Sequence, residues 1–217
     1  MITKRDTSLK VAEFLLQIKA IKLQPSNPFT WASGWKSPIY CDNRVTLSYP
    51  PVRTFIRQRL SEVITEEFSS VNLIAGVATA GIPQGVLVAQ ELGLPFAYVR
   101  SAPKDHGMNN MIEGEVKEGQ RVVVVEDLVS TGKSSLKAVE ALRAAGCEVV
   151  GMVSIFNYGF DKAIENFNIA NCKLISLSNY NDLIDQALSS GYINEADVEV
   201  LKSWREDPEH WGHTEIA

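Results

Sequence analysis

The spacing of hydrophobic residues divides the chain into two parts with different predicted structures. In the first part, apolar residues recur at helical spacing over residues 6–23 and again over 50–68, and each segment is predicted to be a helix. Between them, residues 29–44 are typical of two short strands that turn at Gly34. The first third of the chain is therefore predicted to be two helices joined by a small hairpin.

From residue 73 onward, short apolar runs alternate with amphipathic segments. The predicted strands are 73–78, 95–100, 121–125, 149–155 and 174–177, and the predicted helices are 82–92, 133–145, 161–167 and a further region beyond 178. Four consecutive valines, Val122 to Val125, are typical of a strand buried on both faces of a parallel sheet. This alternation predicts an α/β fold with a mostly parallel central sheet flanked by helices, in which ligands bind at the carboxyl ends of the strands.

One long segment, residues 101–119, fits neither pattern. It lacks an apolar period and contains Pro103, Gly107 and Gly114. Loops of this length within a compact domain are usually functional lids or disordered segments. We therefore expect this segment to serve the function of the protein rather than its core.

The composition restricts the class of protein. With 217 residues, 45% hydrophobic and 22% charged, the chain has the size of one globular domain spanning 1–217. Its net charge of -5 argues against a nucleic-acid partner, because such proteins need clustered cations. Three separated cysteines suggest neither a disulfide framework nor a zinc site, and no stretch approaches the ~20 apolar residues of a membrane span. We expect a soluble cytoplasmic protein with small-molecule ligands and no membrane partner.

The sequence RVVVVEDLVSTGKSS, residues 121–135, carries the most specific chemical signal. Glu126 and Asp127 follow the valines, and a Ser-Thr-Gly turn then leads into a predicted helix. The start of a helix presents unpaired N–H groups and a partial positive charge, which together bind a phosphate. Adjacent carboxylates accept hydrogen bonds from sugar hydroxyls. Hydroxyls together with a terminal phosphate indicate a ribose 5-phosphate.

Two other interpretations of this segment are open. Gly132-Lys133-Ser134 matches the end of a nucleotide-hydrolysing P-loop, but the first glycine of that motif would fall at position 127, which is Asp127. The two adjacent carboxylates could also be solvated residues at the end of a strand.

The segment resembles the diphosphoribose-binding motif of type I phosphoribosyltransferases, in which hydrophobic residues precede Glu-Asp and a Ser/Thr-Gly turn. The resemblance covers roughly residues 6–178 and implies the type I phosphoribosyltransferase fold with a small N-terminal hood. It implies that Glu126 and Asp127 hold the ribose 2′- and 3′-hydroxyls. It also implies that the 5′-phosphate is wrapped by Leu128, Val129, Ser130, Thr131, Gly132, Lys133 and Ser134.

Residues 29–44, FTWASGWKSPIYCDNR, resemble the hood of orotate phosphoribosyltransferases, whose pattern is Phe-x-x-x-Ser-Gly-x-x-Ser-Pro. The hood is expected to be formed mainly by residues 24–45. By this resemblance, Tyr40 and Cys41 lie against the pyrimidine, and Ser130 contacts it as well.

The carboxylate of orotate needs a cation, and the hood supplies two candidates. These are Lys36 and Arg44. Lys36 is equally well interpreted as a solvated lysine of the hairpin.

Residues 98–107, YVRSAPKDHG, resemble the mobile catalytic loop of the same enzymes. Pyrophosphate leaves with about three negative charges, which preorganised cations stabilise. The resemblance assigns Arg100, Lys104 and His106 to this role, and Asp105 to proton transfer or to orienting a neighbour. In this family the loop crosses into the active site of the partner subunit, which implies a homodimer with shared sites.

Residues 76–83, GVATAGIP, resemble the loop that binds the diphosphate of the donor. Small residues let backbone amides approach a diphosphate closely, and Thr79 and Ala80 are assigned to donor binding. The resemblance also implies Mg²⁺ as cofactor. Because Mg²⁺ retains waters, we expect it to be held mainly by the donor, near Glu126 and Asp127, with no certain protein ligand.

The chain departs from some relatives at four places. Those relatives have a lysine where Ala32 stands, a Tyr-Lys pair at Thr79 and Ala80, a second lysine at Ser101 and an arginine near Asn157. These departures bear mainly on the contacts to the base.

Together, these motifs imply transfer of the 5-phosphoribosyl group from 5-phosphoribosyl 1-diphosphate (PRPP) to N1 of orotate. The products are orotidine 5′-phosphate and diphosphate, and the step belongs to de novo pyrimidine (UMP) biosynthesis. A phosphoribosyltransferase for another base would share residues 122–135, and a regulatory protein of the same fold could sense the donor without catalysis. The hood and the Lys-Asp-His-Gly sequence favour the orotate enzyme.

Overall fold

The computed structural model describes residues 4–31, 34–102 and 111–212. The first third of the chain forms α1 (Arg5–Gln17), β1 (Ile21–Leu23), β2 (Phe29–Thr30), β3 (Lys36–Ser37), β4 (Ile39–Cys41), a 3₁₀ helix (Asn43–Ser48) and α2 (Pro50–Glu67). β2 and β3 pair antiparallel, and Gly34 lies between them with a φ of 91°. The predicted hairpin is therefore confirmed.

The predicted helix over residues 6–23 is wrong at its carboxyl end. α1 ends at Gln17, and Lys19 adopts a φ of 58°, which interrupts a right-handed helix. β1 follows and pairs antiparallel with β4, with its two outer residues buried and the middle one exposed. Over so few residues, apolar spacing fits a strand and a helix equally well.

A six-stranded sheet forms the centre of the molecule. Its strands are β5 (Leu73–Val77), β6 (Phe96–Val99), β7 (Ile112–Glu113), β8 (Arg121–Val129), β9 (Glu148–Asn157) and β10 (Leu174–Asn179), in the order β10-β9-β8-β5-β6-β7. All neighbours are parallel except β7, which is antiparallel to β6. The predicted mostly parallel sheet is confirmed, although β7 lies inside the predicted loop 101–119, where two residues are too few to show a period.

Helices cover both faces of this sheet. The remaining helices are α3 (Gly81–Leu92), α4 (Lys133–Ala144), α5 (Asp161–Ile169), α6 (Tyr180–Ser189) and α7 (Glu195–Glu206). The core on one face includes residues of α1, α2, α6 and α7, and the core on the other face includes residues of α4 and α5. Val123 and Val125 belong to the first core, whereas Val122 and Val124 belong to the second. Both faces of β8 are buried, which explains the four consecutive valines.

The chain adds strands to opposite sides of the sheet after β5 and after β8. From β5 the chain continues to its neighbour β6 on one side, and from β8 it continues to β9 and β10 on the other side. In open parallel sheets, a ligand crevice lies outside the carboxyl ends of the two strands at such a reversal. The topology therefore places the expected site at the ends of β5 and β8.

Candidate active site

The segment predicted to bind ribose and phosphate begins inside a strand. β8 continues past the four valines to Val129, so Glu126 and Asp127 are strand residues. The apolar run ends at Val125, which is why the sequence predicts a shorter strand. Val129 is fully buried in the core, so only its backbone is available to a ligand. The turn that follows the strand starts at Ser130.

Glu126 is a buried carboxylate with two hydrogen-bond donors around it. Only 6% of the residue is exposed. Ser135 Oγ donates to Oε2 at 2.8 Å, and the Asp127 N–H donates to Oε1 at 3.0 Å. Burial raises the pKa of Glu126, and the nearby charge of Asp127 raises it further. A residue this buried is not a solvated strand end, so that interpretation fails for Glu126.

Asp127 is the more accessible of the two acids and is tied to the hood through its backbone. The buried side chain of Asn43 donates from Nδ2 to the Asp127 carbonyl at 2.7 Å. Burial raises the pKa of Asp127. A carboxylate inside a strand, at the position of the first P-loop glycine, is incompatible with a loop that cradles phosphates there. The link through Asn43 was not predicted, because the two residues are far apart in the sequence.

The predicted phosphate cradle is a turn that leads directly into α4. Gly132 precedes the helix with a φ of 77°, and a Cβ on it would lie 2.6 Å from the Phe167 ring. Asn166 Nδ2 donates to the Thr131 carbonyl at 2.9 Å and so fixes the turn from outside. No side chain caps the first turn of α4, whose Lys133 and Ser134 are exposed. Such a helix start can bind an anion through its N–H groups.

The loop after β5 is made of small residues because the backbone has no room for larger ones. A Cβ on Gly81 would lie 2.5 Å from the Val125 carbonyl oxygen, and a Cβ on Gly76 would lie 2.9 Å from the Gly81 carbonyl oxygen. Thr79 is exposed and Ala80 is half-buried at the start of α3. The peptide bond that precedes Thr79 is cis. This loop therefore packs its backbone against β8 and leaves Thr79 accessible.

Arg100 lies next to this loop, immediately after β6. Its N–H donates to the Met111 carbonyl at 2.8 Å, and its guanidinium Nη1 lies 3.7 Å from Glu113 Oε1. The side chain is partly exposed. The other residues predicted for the catalytic loop, Lys104, Asp105 and His106, lie outside the described residues, and their roles stay predictions.

The hood brings Cys41 to the same place but leaves Tyr40 more open. The Tyr40 ring is 40% exposed and lies against the Phe29 ring, with centroids 5.6 Å apart. The Cys41 thiol donates to Asn43 Oδ1 at 3.4 Å. Burial raises the pKa of the Cys41 thiol well above its usual value, and the charge of Asp127 raises it further. Cys41 is linked to Asp127 through Asn43, which accepts from the Cys41 thiol and donates to the Asp127 carbonyl.

The two candidate cations of the hood have different surroundings. Lys36 Nζ donates to Thr30 Oγ1 at 2.9 Å across its own hairpin. Arg44 makes two bonds to Asp42, at 2.6 Å from Nε and 3.0 Å from Nη2. Burial has the largest effect on the pKa of Asp127 and raises it, whereas the charge of Arg44 lowers it. Arg44, unlike Lys36, is thus in electrostatic contact with the predicted ribose site.

The structure brings most of the predicted residues to one edge of the sheet. Thr79 follows β5, Arg100 follows β6, and Asp127 and Ser130 lie at the end of β8. Neighbouring strands are about 5 Å apart, so the ends of these three strands lie within roughly 10 Å of one another. Cys41 approaches the same edge from the hood.

The described residues, 4–31, 34–102 and 111–212, contain neither a cluster of metal-ligating side chains nor a membrane-spanning helix. In these ranges, no group of three or more His, Cys, Asp or Glu side chains could hold a metal ion. None of the helices there is long and apolar enough to cross a membrane. All three cysteines are free thiols.

Comparison with known proteins identifies relatives of the chain. Residues 51–187 match the phosphoribosyl transferase domain family. Orotate phosphoribosyltransferase from Phocaeicola vulgatus is 64% identical over 200 residues, which cover 92% of this chain and 94% of that protein. The structure of orotate phosphoribosyltransferase from Aeropyrum pernix matches with a TM-score of 0.74 and 29% identity, covering 85% of this chain and 99% of that one. UMP synthase from Leishmania donovani matches with a TM-score of 0.78 and 27% identity, over 93% of this chain but 43% of that longer one.

Proposed function

The chain belongs to the type I phosphoribosyltransferases and, within them, to the orotate phosphoribosyltransferases, and from this premise we propose how its residues share the reaction. The enzyme transfers the 5-phosphoribosyl group of PRPP to N1 of orotate, and it releases diphosphate. The product is orotidine 5′-phosphate, an intermediate of de novo pyrimidine biosynthesis. The observation that carries the residue assignments is the carboxylate pair of β8, directly followed by the turn into α4.

The ribose of PRPP is assigned to the end of β8. Asp127 is the more accessible acid and accepts hydrogen bonds from the ribose hydroxyls. Glu126 lies on the buried side of the pair and has a secondary part in holding the ribose, because each of its two oxygens already accepts one hydrogen bond from the protein. Two buried acids with raised pKa values gain from hydroxyl donors or a cation that stabilise their charged forms.

The 5′-phosphate is assigned to the turn and the first turn of α4. Backbone N–H groups and hydroxyls are the proposed donors, from the last two residues of β8, Leu128 and Val129, and from Ser130, Thr131, Gly132, Lys133 and Ser134. The uncapped start of α4 adds a partial positive charge. This cradle fixes one end of the donor while the chemistry takes place at the other.

The diphosphate is assigned to the loop after β5 and to the cations beyond β6. Thr79 and Ala80 contribute the loop contacts. Arg100, Lys104 and His106 stabilise the charge that develops on the departing diphosphate. We further propose that the enzyme is a homodimer, in which the loop 101–119 of one subunit completes the site of its partner.

Mg²⁺ is proposed as the cofactor, carried mainly by the donor. Asp127, with Glu126 behind it, offers the hard carboxylate oxygens that this ion prefers. When bound, Mg²⁺ neutralises charge on the diphosphate.

The base is assigned to the hood side of the crevice. Tyr40, Cys41 and Ser130 contact the pyrimidine, and Arg44 or Lys36 binds its carboxylate. N1 of orotate forms a bond to C1 of the ribose as the C1–O bond breaks, and the electron pair of that bond leaves with diphosphate. The N1 proton is lost in the process, and Asp105 is the candidate for accepting it or for orienting a neighbour. Closure of the loop 101–119 excludes water that would hydrolyse PRPP.

An acceptor panel tests this function directly. Purified protein, PRPP and Mg²⁺ are incubated with orotate, uracil, hypoxanthine or adenine, and diphosphate release is measured. We expect release with orotate alone. Faster turnover with another base would favour a different phosphoribosyltransferase, and binding of PRPP without release for any base would favour a sensor.

We also propose a cytoplasmic location, in keeping with three free thiols.

A further inference from the structure

Asn43 is a buried side chain that connects two parts of the proposed site. It is the first residue of the 3₁₀ helix that follows β4 in the hood, and only 1% of it is exposed. Its Nδ2 donates to the Asp127 carbonyl at 2.7 Å, and its Oδ1 accepts from the Cys41 thiol at 3.4 Å. One amide group therefore joins a residue assigned to the base to a residue assigned to the ribose.

The bond to Asp127 is made where β8 extends beyond its neighbour β5. The pairing of these two strands ends with Gly76 and Val125. β8 continues to Val129, and its pairing with β9 continues to the same residue. Asp127 thus lies two residues beyond the last pair with β5. Asn43 of the hood supplies a hydrogen bond to the strand at this point, so the position of the Asp127 backbone depends on the hood.

The backbone of Asn43 is held by a further pair of buried side chains. Thr46 Oγ1 donates to the Asn43 carbonyl at 2.6 Å and accepts from Gln84 Nε2 at 3.2 Å. Both Thr46 and Gln84 are buried. Gln84 lies in the first turn of α3, directly after the loop assigned to the diphosphate. A continuous series of hydrogen bonds therefore runs from α3 through the hood to β8, and Asn43 is its central member.

The transfer reaction is sensitive to the distance between its two substrates. The attacking and attacked atoms must come within about 3–3.5 Å of each other, and a misplacement of about 1 Å can lower the rate about 100-fold. The base is assigned to the hood and the ribose to β8, so the placement of the hood on β8 determines this distance. Buried hydrogen bonds restrict such a placement in direction as well as in distance.

We propose that Asn43 is a positioning residue for the transfer step, which holds the hood against β8 so that N1 of orotate faces C1 of the ribose. This inference rests on the proposed function, because it needs orotate at the hood and the ribose at Asp127. Asn43 acts through Cys41 and Asp127 and contacts neither substrate. Its loss therefore lowers the rate of the transfer step and leaves the binding of each substrate nearly unchanged.

Asn43→Ala tests the proposal, with Asn179→Ala as the matched control. Asn179 accepts hydrogen bonds from two N–H groups at the start of α6, at the end of a strand that is not adjacent to β8. Both variants should therefore have a lower thermal midpoint. We expect Asn43→Ala to lower the single-turnover rate of orotidine 5′-phosphate formation about 30-fold to 100-fold, with both KM values within threefold. Asn179→Ala should leave the rate and both KM values unchanged.

Thr46→Val is a milder variant that decides the question if Asn43→Ala does not fold. Valine keeps the shape of threonine but loses the hydroxyl that holds the Asn43 carbonyl. We expect the single-turnover rate to fall about threefold to tenfold, with both KM values unchanged. The proposal is overturned if the folded Asn43→Ala variant keeps its rate within twofold or raises either KM as much as it lowers the rate, or if, in its place, Thr46→Val keeps the full rate. Failure of the proposed function would look different, because the unaltered enzyme would then form no orotidine 5′-phosphate.

Discussion

The proposed site has two halves that are built by different means. The donor half is the part proposed to bind PRPP, at the ends of β5, β6 and β8, and the acceptor half is the hood side proposed to bind orotate. In the donor half, Gly81 packs against the backbone of β8, and Glu126 is buried with hydrogen bonds from Ser135 and from the backbone. In the acceptor half, the hood presents exposed side chains such as Tyr40 and Lys36 from short strands. The donor half is therefore fixed by the sheet itself. If the hood binds the base as proposed, we expect base preference to depend on a few hood side chains and not on the sheet.

The largest effect on turnover is expected for Lys104, which lies in the loop 101–119 that is proposed to complete the donor half. Lys104→Ala should lower kcat at least 100-fold, because a cation on the leaving group acts mainly in the transition state. The measurement is steady-state formation of orotidine 5′-phosphate by the purified enzyme. Lys117→Ala is the control, because Lys117 is an exposed lysine close to Glu115 in the same stretch of chain. Turnover within twofold of the unaltered enzyme for Lys104→Ala would remove this residue from the leaving-group assignment.

The rigidity of the phosphate cradle can be tested with two glycines of similar conformation. Gly132 and Gly119 have φ values of 77° and 78°, but only Gly132 has atoms within 4 Å of an added Cβ. Gly119→Ala should lower the free energy of unfolding by ~1 kcal/mol from the backbone alone. Gly132→Ala should lose ~2–4 kcal/mol because Phe167 must also move, and KM for PRPP should rise. Equal losses in urea unfolding would show that the cradle is not tightly packed.

The buried acid of the donor half should make stability depend on pH. Folding raises the pKa of Glu126 above its ordinary 4.5, so the folded protein holds the proton more tightly than the unfolded chain. The contribution to stability is therefore full below pH 4.5 and is lost as pH rises through the raised pKa. Without ligand, Glu126→Gln should be more stable than the unaltered protein at high pH, by ~1–3 kcal/mol, and the difference should shrink on acidification.

Urea unfolding at a series of pH values measures this effect. Glu118→Gln, at an exposed glutamate, serves as the control and should follow the unaltered protein at every pH. PRPP with Mg²⁺ should reduce the advantage of Glu126→Gln, because these ligands stabilise the charged carboxylate. A constant difference between Glu126→Gln and the unaltered protein across the pH range would contradict the burial argument.

The smallest effects are expected in the acceptor half, and they sharpen the contrast between its two cations. Arg44→Ala should raise KM for orotate about tenfold, as expected for the loss of a charged hydrogen bond. Lys36→Ala should raise it less than threefold, roughly the value of a surface interaction, because Arg44 rather than Lys36 is the hood cation whose charge acts on Asp127. The reverse order of the two KM values would assign the orotate carboxylate to Lys36.

Much of the fold follows from patterns that extend over several residues. The four valines of β8 and the alternation of strands with helices predict the parallel sheet, because burial on both faces demands apolar residues at every position. The Glu-Asp pair with its Ser-Thr-Gly turn predicts the donor half of the site. The part of that half proposed to bind ribose and 5′-phosphate, residues 126–134, is contiguous in the sequence, so one motif covers it, whereas Thr79 and Arg100 come from separate segments.

Features that depend on few residues or on distant ones were not predicted. Apolar spacing extends the first helix over β1 and leaves β7 in a loop, because two or three residues define no period. The strand extension to Val129 carries polar residues, so apolar spacing misses it. Asn43 reaches the site only through folding, from a segment distant from Asp127 in the sequence. Contacts of this kind leave no local signal.

The alternation of side chains along β8 links the interior of the protein to the orientation of its chemistry. Val122 and Val124 face the core that contains α4, whereas Val123 and Val125 face the opposite core. Glu126 continues the first series and meets Ser135 of α4, and Asp127 continues the second toward the hood. A slip of one residue in strand pairing would exchange the faces of the two acids, so that Glu126 would lose its hydrogen bond from Ser135. The burial of Glu126 and its hydrogen bond from Ser135 therefore specify a pairing register that four identical valines alone leave undetermined.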